Sequence, residues 1–396
     1  MQDDRPVVAH VSKRFFETTE TFIYSYLSHL ERFHPICLSS LPITNGANFP
    51  FPSPDIYVAG PKRPVLGLCI GGWRRLSGRE APEERVMRGR SVRLIHAHFG
   101  PTGWRSLTHK KHLGLPLVTT FYGYDLAPVI PWERGNWIER RQELFGEGDL
   151  FLVEGPFMRK TLIALGCPAE KVEIQRIALP LDKLPFSVRK PRPGSRVRIL
   201  FTGRFTEKKG LIYALRAVGE LGKERKDFEL RIIGSGKLAG EFEKFIRKNR
   251  LDDCVKLLGL MNYREYLGEM AAASIFLHPS VVASNGDTEG GAPTVILEAQ
   301  AMGMPVVSTF HADIPYVTVP GKSAILVPER DADGLKGALS HLLDRPEEWE
   351  EMGLAGRAHI EAHHNIVTEV SALEDKYQRL LSRDSSQNSS RRCSHI

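Results

Sequence analysis

Short apolar runs alternate with longer amphipathic stretches along nearly the whole chain, and that alternation constrains the fold more than any other feature. Apolar strands that each lead into a helix-period segment belong in a parallel sheet covered by helices. In the first half the pattern predicts strands at Val7–Ser12, Ile36–Leu41, Ile56–Gly60, Arg93–Phe99, Leu117–Tyr122, Leu150–Glu154 and Val172–Ile177. Helices are expected over Glu20–Phe33, Thr102–Leu113, Trp132–Glu147 and Pro156–Leu165. Leu184 to Ser195 then carries three prolines and a glycine, too many for a helix or a central strand, and reads as a linker.

A second series follows at once. Strands are expected at Arg198–Phe201, Glu229–Ile233, Val255–Leu258, Ile275–His278, Val306–Ser308 and Ala324–Val327. Helices fill Leu211–Leu221, Leu238–Asn249, Tyr263–Ala272, Thr294–Met302, Asp331–Leu343 and Pro346–Ala362. A last helix carries Ile366, Val370, Leu373, Tyr377 and Leu380 on one stripe, which must pack on something. The expected division is residues 1–187 as a first α/β domain, 196–364 as a second, 365–383 as a helix crossing back to the first, and 384–396 as a disordered tail. Two such halves joined by a linker imply a cleft that takes a ligand.

The 396 residues are 42% hydrophobic and 26% charged, a globular balance with room for two cores. Five scattered cysteines without a CxxC pair argue against a disulfide framework or a cysteine-rich zinc site and suit a reducing cytosol. No apolar run approaches the roughly 20 residues of a membrane span, and the polar start is unlike a signal peptide, so a cytoplasmic protein is expected. The net charge of +7 is unevenly spread: nine basic residues against three acids lie between Lys62 and Arg93, beside the apolar run Val65–Trp73. That combination either grips an anionic membrane surface from the inner face or is an ordinary basic helix beside a buried segment. No nucleic-acid-binding motif accompanies the charge, and nucleic acid is not an expected partner.

Three stretches carry chemistry. Gly203-Arg204 and Lys209-Gly210 lie where the first strand of the second half meets its helix, and they set two cations where a diphosphate would find helix-start amides. Taken alone, the Arg204/Lys209 pair also fits a solvated surface turn. Gly234-Ser235-Gly236 nearly matches the dinucleotide fingerprint, but the third glycine comes a residue late and the ribose-binding acid is missing, which weakens a nicotinamide reading. The third stretch runs from Ser284 to Ala299. Gly290 and Gly291, followed by Ala292, let backbone amides approach a ligand, and Pro293 suits the first turn of the helix that Thr294 opens. Glu298, inside that apolar helix, is able to accept both hydroxyls of a ribose diol.

This constellation resembles family 4 of the retaining glycosyltransferases, in the branch that builds exopolysaccharides and lipid-linked glycans. The resemblance implies the GT-B fold: two Rossmann-like α/β/α domains facing across a cleft, with the C-terminal helix crossing back. It further implies that Arg204 and Lys209 grip the donor diphosphate, that Glu298 holds the ribose, and that Glu289 contacts the transferred sugar. Here eight residues rather than seven separate Glu289 from Glu298, which leaves Asp287 as the alternative to Glu289 for that role. On the first domain, His98 in Ile95–Gly100 matches a histidine near the donor sugar, and Tyr122 stands where histidine is common, three residues before Asp125. Glu17 and Thr21 resemble the loop and helix start facing the donor phosphate, without the usual double glycine.

The activity so implied is transfer of a hexose from a nucleotide-diphosphate sugar, UDP-glucose or a near relative first and GDP-mannose next. The acceptor is a glycan or polyprenyl-diphosphate-linked oligosaccharide, and no cofactor or metal is expected because the cations supply the charge. A nucleotide-sugar epimerase of the same fold, or a nicotinamide-dependent oxidoreductase, is the alternative.

Overall fold

The computed structural model describes residues 3–16, 20–43, 49, 51–52, 55–58, 81–126 and 136–393, with side chains through Arg383. Glu17 and most of the apolar and basic run beginning at Lys62 lie outside the described residues. The chain divides into two compact units. The first is residues 1–154, 159–178 and 366–396; the second is 155–158 and 179–365.

The first half runs β1 (Val7–Ser12), α1 (Thr21–His29), β2 (His34–Ser39), β3 (Ile56–Val58), α2 (Pro82–Gly89), β4 (Val92–His98), α3 (Gly100–Leu113), β5 (Leu117–Thr120), α4 (Trp137–Glu147), β6 (Leu150–Val153), α5 (Pro156–Ala164) and β7 (Val172–Ile174). The seven strands form one parallel sheet in the order β3-β2-β1-β4-β5-β6-β7. Two of the first unit's helices, α3 with its left-handed Gly114 stop and α4 with its Asn136 cap, use ordinary boundary chemistry.

The second half runs β8 (Val197–Thr202), α6 (Leu211–Glu224), β9 (Phe228–Ile233), α7 (Ala239–Lys248), β10 (Val255–Gly259), α8 (Tyr263–Ala272), β11 (Ile275–His278), α9 (Thr294–Ala301), β12 (Val306–Thr309), α10 (Ile314–Val317), β13 (Ala324–Val327), α11 (Ala332–Asp344) and α12 (Glu348–His363). Its six parallel strands are ordered β10-β9-β8-β11-β12-β13. Strand side chains such as Phe201, Leu230, Ile232 and Leu277 pack with Leu215, Val218, Leu339 and Trp349 of the helices in one core. The linker is irregular, as its prolines require, and Arg189 fastens it to this unit through the carbonyls of Ala271 (2.7 Å), Met302 (2.9 Å) and Met270 (3.2 Å).

Every expected strand is present, with ends shifted by a few residues. The four-residue helix α10 was not expected: its single turn is too short to show a helical period. The last helix, α13, spans Ile366–Cys393. Its predicted stripe is buried against the first sheet: Ile366, Val370, Leu373 and Tyr377 join Val8, Leu94, Val118, Leu150 and Leu152. Each fully buried side chain of this kind stabilises by about 1.5–3 kcal/mol. Glu374 adds a polar anchor by accepting the backbone N–H groups of Glu31 (2.9 Å), Arg32 (2.6 Å) and Phe33 (3.3 Å). The stretch expected as a disordered tail corrects to helical backbone as far as Cys393. The segment has neither proline nor glycine, and extending a helix already nucleated by packing is far easier than starting one.

Both strand orders reverse direction once, between β1 and β4 and between β8 and β11. Crevices at the carboxyl ends of strands flanking such a reversal are where open parallel sheets bind ligands. The residues ending those strands are Ser12, His98, Thr202 and His278.

Candidate functional site

In the second unit the loops leaving β8, β9 and β10 are knitted together by backbone hydrogen bonds. Gly203 N–H donates to Ile233 O (3.1 Å), Phe205 N–H to Ser235 O (2.8 Å) and Gly234 N–H to Gly259 O (2.9 Å). The glycines of Gly234-Ser235-Gly236 have a structural reason here. Gly234 has φ of +142°, and a Cβ there would meet Gly203 O at 2.0 Å; a Cβ on Gly236 would meet Phe205 O at 2.7 Å. Gly210 is equally constrained, with φ of +65° and a Cβ that would fall 1.7 Å from Pro279 O. These positions bring loops close to one another, which is how they shape the strand-end surface.

The turn after β8 then supplies three charged residues to the loop that follows β11. Glu207 accepts from Ser284 N–H (2.9 Å) and Oγ–H (2.7 Å). Lys208 donates to Asp287 Oδ1 (3.0 Å) and Thr288 O (2.9 Å). Lys209 donates to Glu289 Oε2 at 2.9 Å, while Ser280 Oγ–H donates to Glu289 Oε1 at 3.0 Å. Glu289 is the acid on Lys209; Asp287 sits further out on Lys208, with its side chain 42% exposed against 7% for Glu289. Burial by itself would raise the Glu289 carboxyl, but Lys209 and Lys208 outweigh it and hold it at about 2. Burial also pushes the Lys209 ammonium down from its ordinary value, partly offset by Glu289. Arg204 beside them is exposed and has no ion pair among the described residues.

Gly290 and Gly291 are buried and lead through Ala292 to Pro293, which stands at the cap of α9 rather than in its first turn, with Thr294 opening the helix. Glu298, one turn on, accepts the hydroxyl hydrogen of Tyr266 from α8. Burial pushes its carboxyl up to about 7 despite that bond. Beneath the Lys209–Glu289 pair lies His278, wholly buried and stacked on Phe201 (ring centroids 5.2 Å apart) and Phe276 (6.0 Å). Burial, then Lys209, drives its ring pKa down to about 3, so it is a neutral floor to the site.

In the first unit His98 is buried in a stack with His96 (4.6 Å) and His10 (5.3 Å). Its Nδ1 meets Tyr122 Oη at 2.8 Å and its Nε2 meets His10 Nδ1 at 3.1 Å. His96 binds Tyr377 Oη and Thr120 Oγ1 at 2.5 and 2.7 Å. Ring nitrogens of the three lie within 4.8 Å of one another, yet five of the six already have these partners and only His10 Nε2 has none. Burial keeps all three neutral, with His98 at about 3. His98 therefore faces Tyr122 and His10, and the half-buried Tyr122 is the end of this network nearest solvent.

Asp125 was expected on the acceptor side and is instead fully buried. One oxygen accepts Gly100 N–H (2.8 Å) and the other Tyr122 N–H (3.1 Å). The start of α3 lacks a side-chain cap of its own, and Asp125 supplies the missing acceptor while fixing the β5 loop. Burial raises its carboxyl to about 6 against those bonds. Thr21 is half-buried at the first position of α1.

Lys208, Tyr266, His278, His311 and Glu329 were absent from the sequence-derived site. For Lys208 the adjacency to Lys209 was a usable signal. For the others the pairing exists only between elements distant in sequence.

Two family models match the chain: "Glycosyltransferase Family 4" over residues 20–176 and "Glycosyl transferases group 1" over residues 196–345. The amylovoran biosynthesis glycosyltransferase AmsK of Erwinia amylovora is 35% identical over 278 residues, 69% of this chain and 66% of that one. The putative colanic acid biosynthesis glycosyltransferase WcaL of Escherichia coli is 35% identical over 250 residues, 62% of this chain and 60% of that one. The aligned stretches thus span just under two thirds of those relatives. Among solved structures, HepE of Anabaena in complex with UDP-glucose superposes with a TM-score of 0.73 at 15% identity, over 94% of this chain and 99% of that one. At that identity the likeness concerns the fold, which is GT-B. The two matched segments and the two parallel-sheet units agree: the chain belongs to the family 4 glycosyltransferases.

Proposed function

We propose that the chain is a retaining, metal-independent glycosyltransferase of exopolysaccharide biosynthesis. It takes a hexose from a UDP-sugar, UDP-glucose first and GDP-mannose next, and passes it to a glycan or polyprenyl-diphosphate-linked oligosaccharide. The observation that carries this reading is the Lys209–Glu289 pair beside the unpaired Arg204 at the reversal point of the second sheet. The names of AmsK and WcaL support the pathway, and the UDP-glucose bound to HepE supports the donor.

Departure of a nucleoside diphosphate builds negative charge on its outer phosphate. Lys209, held at the site by Glu289, and the exposed Arg204 meet that charge as it develops. Glu289 lies within reach of the same ammonium and holds hydroxyls of the sugar as it gains positive character. Glu298 takes the ribose diol with the oxygen that Tyr266 leaves free. The departing phosphate accepts the acceptor's proton, so the protein need not supply a dedicated base. Both acids of the loop are already neutralised by lysines, which leaves no spare charge there for a divalent cation.

Contact of the Lys62–Arg93 stretch with an anionic membrane belongs to the same proposal and would bring the enzyme to a lipid-linked acceptor. Among the described residues no helix is long and apolar enough to cross a membrane.

The deciding experiment is calorimetric titration of UDP, GDP, ADP and TDP into the metal-free protein. Preference for UDP supports the reading; preference for GDP moves the sugar to mannose. Binding of none of the four rejects it.

A further inference from the structure

His311 follows β12 and is 1% exposed, yet one of its ring nitrogens is directed at the loop that presents Glu289. Its Nδ1 lies 2.7 Å from Glu329 Oε1. A carboxylate only accepts, so Nδ1 carries the proton and Nε2 is the acceptor. Nε2 stands 3.0 Å from Thr288 Oγ1 and 3.3 Å from the backbone nitrogen of Glu289. Thr288 Oγ1 in turn accepts Gly290 N–H at 3.4 Å. One ring therefore organises two successive backbone amides, at Glu289 and Gly290, where the extra glycine of this chain falls.

Glu329 does more than set the tautomer. Its Oε2 accepts Val282 N–H at 2.8 Å, and Arg330 next to it donates to Val282 O. The turns after β12 and β13 thus hold the loop at both ends, while Lys208 and Lys209 hold its acids from the β8 side. Remove the ring's acceptor and the Glu289 N–H loses its hydrogen-bond partner beside a buried ion pair, an arrangement that loosens the loop.

We propose that His311, oriented by Glu329, is a positioning residue that fixes Glu289 for recognition of the transferred sugar. The part concerning the sugar rests on the reading of Glu289 given above.

The test uses the full chain and the variants His311→Leu, His311→Gln and Glu329→Ala. Hydrogen exchange is followed at residues 286–291 without ligand, and UDP-glucose and UDP are titrated separately. His311→Leu is expected to speed exchange at Glu289 and to weaken UDP-glucose, each by about tenfold, while UDP affinity changes by less than about threefold because UDP carries no transferred hexose for Glu289 to meet. His311→Gln, whose amide oxygen can replace the acceptor, stays within about threefold of the parent in both measurements. Glu329→Ala, at a partly exposed site, is expected to show the same pattern as His311→Leu with smaller size. Unchanged exchange in His311→Leu overturns the proposal, as does equal weakening of UDP and UDP-glucose, which would mean general disruption. A parent protein that binds UDP-glucose no better than UDP defeats the sugar reading of Glu289 alone, and the exchange result then decides whether His311 holds the loop.

Discussion

Lys209 Nζ lies 2.9 Å from Glu289 Oε2, so a cation expected to grip the donor diphosphate is already committed to an acid expected to face the sugar. The two roles are physically coupled. On the proposed function, a phosphate arriving at Lys209 would compete with Glu289 for the same ammonium, and weakening that pair would free Glu289 for sugar hydroxyls.

The coupling separates the two cations by experiment. Arg204→Ala removes an exposed, unpaired charge and should leave Tm within about 1 °C while lowering turnover of UDP-glucose by about 100-fold or more. Lys209→Ala should lower turnover as far and also destabilise the fold by about 3–5 kcal/mol, because it strands a buried carboxylate. Turnover assays and thermal unfolding of both variants check this; near-normal turnover in Arg204→Ala removes it from the phosphate site.

Acid should act through Glu289. Its carboxyl is depressed from 4.5 to about 2 in the folded chain, so its contribution is present above pH 4.5 and is lost as pH falls toward 2. Glu289→Gln should be less stable than the parent at pH 7 and converge with it near pH 2. Urea unfolding at the two pH values measures the difference.

Glu298 has the opposite sign. Its carboxyl is raised from 4.5 to about 7, so the folded state is favoured by the protonated form below pH 4.5 and loses that advantage as pH rises through 7. Only the carboxylate accepts two ribose hydroxyls, so UDP affinity should climb between pH 6 and pH 8 while intrinsic stability falls. Glu298→Gln is expected to flatten both curves, gaining stability at pH 8 and losing about tenfold or more in UDP affinity. Calorimetry across that range decides it.

The last helix should be essential and its end dispensable. Tyr377 is fully buried and hydrogen-bonded to His96, so Tyr377→Ala is expected to cost about 3–5 kcal/mol. Stopping the chain after Arg383, beyond Leu380 and Leu381, the last packed positions among the described side chains, should leave Tm unchanged within about 1 °C. Thermal unfolding of the two proteins tests the contrast.

Turnover without metal and attachment to anionic vesicles are the remaining consequences of the proposed function. Chelation by EDTA should leave the rate unchanged. Sedimentation with anionic but not neutral liposomes is expected if the Lys62–Arg93 stretch grips a membrane, and the absence of both leaves it an ordinary surface.

The apolar alternation carried all the strands because buried parallel strands must be apolar on both faces, whatever their neighbours are. The turn around Gly203 and Lys209 and the helix that carries Glu298 were legible as places in the fold for a similar reason: glycines, a proline and an apolar run mark them locally. Other features needed the tertiary structure. Gly234 is a glycine because Gly203 O occupies the space of its missing side chain, and Asp125 is a brace because the start of α3 lacks an acceptor. His311 and Glu329 were invisible in the sequence for the same physical cause. A parallel sheet brings together the ends of strands that are far apart in the chain, and a hydrogen bond between two such ends leaves no periodicity or spacing to read.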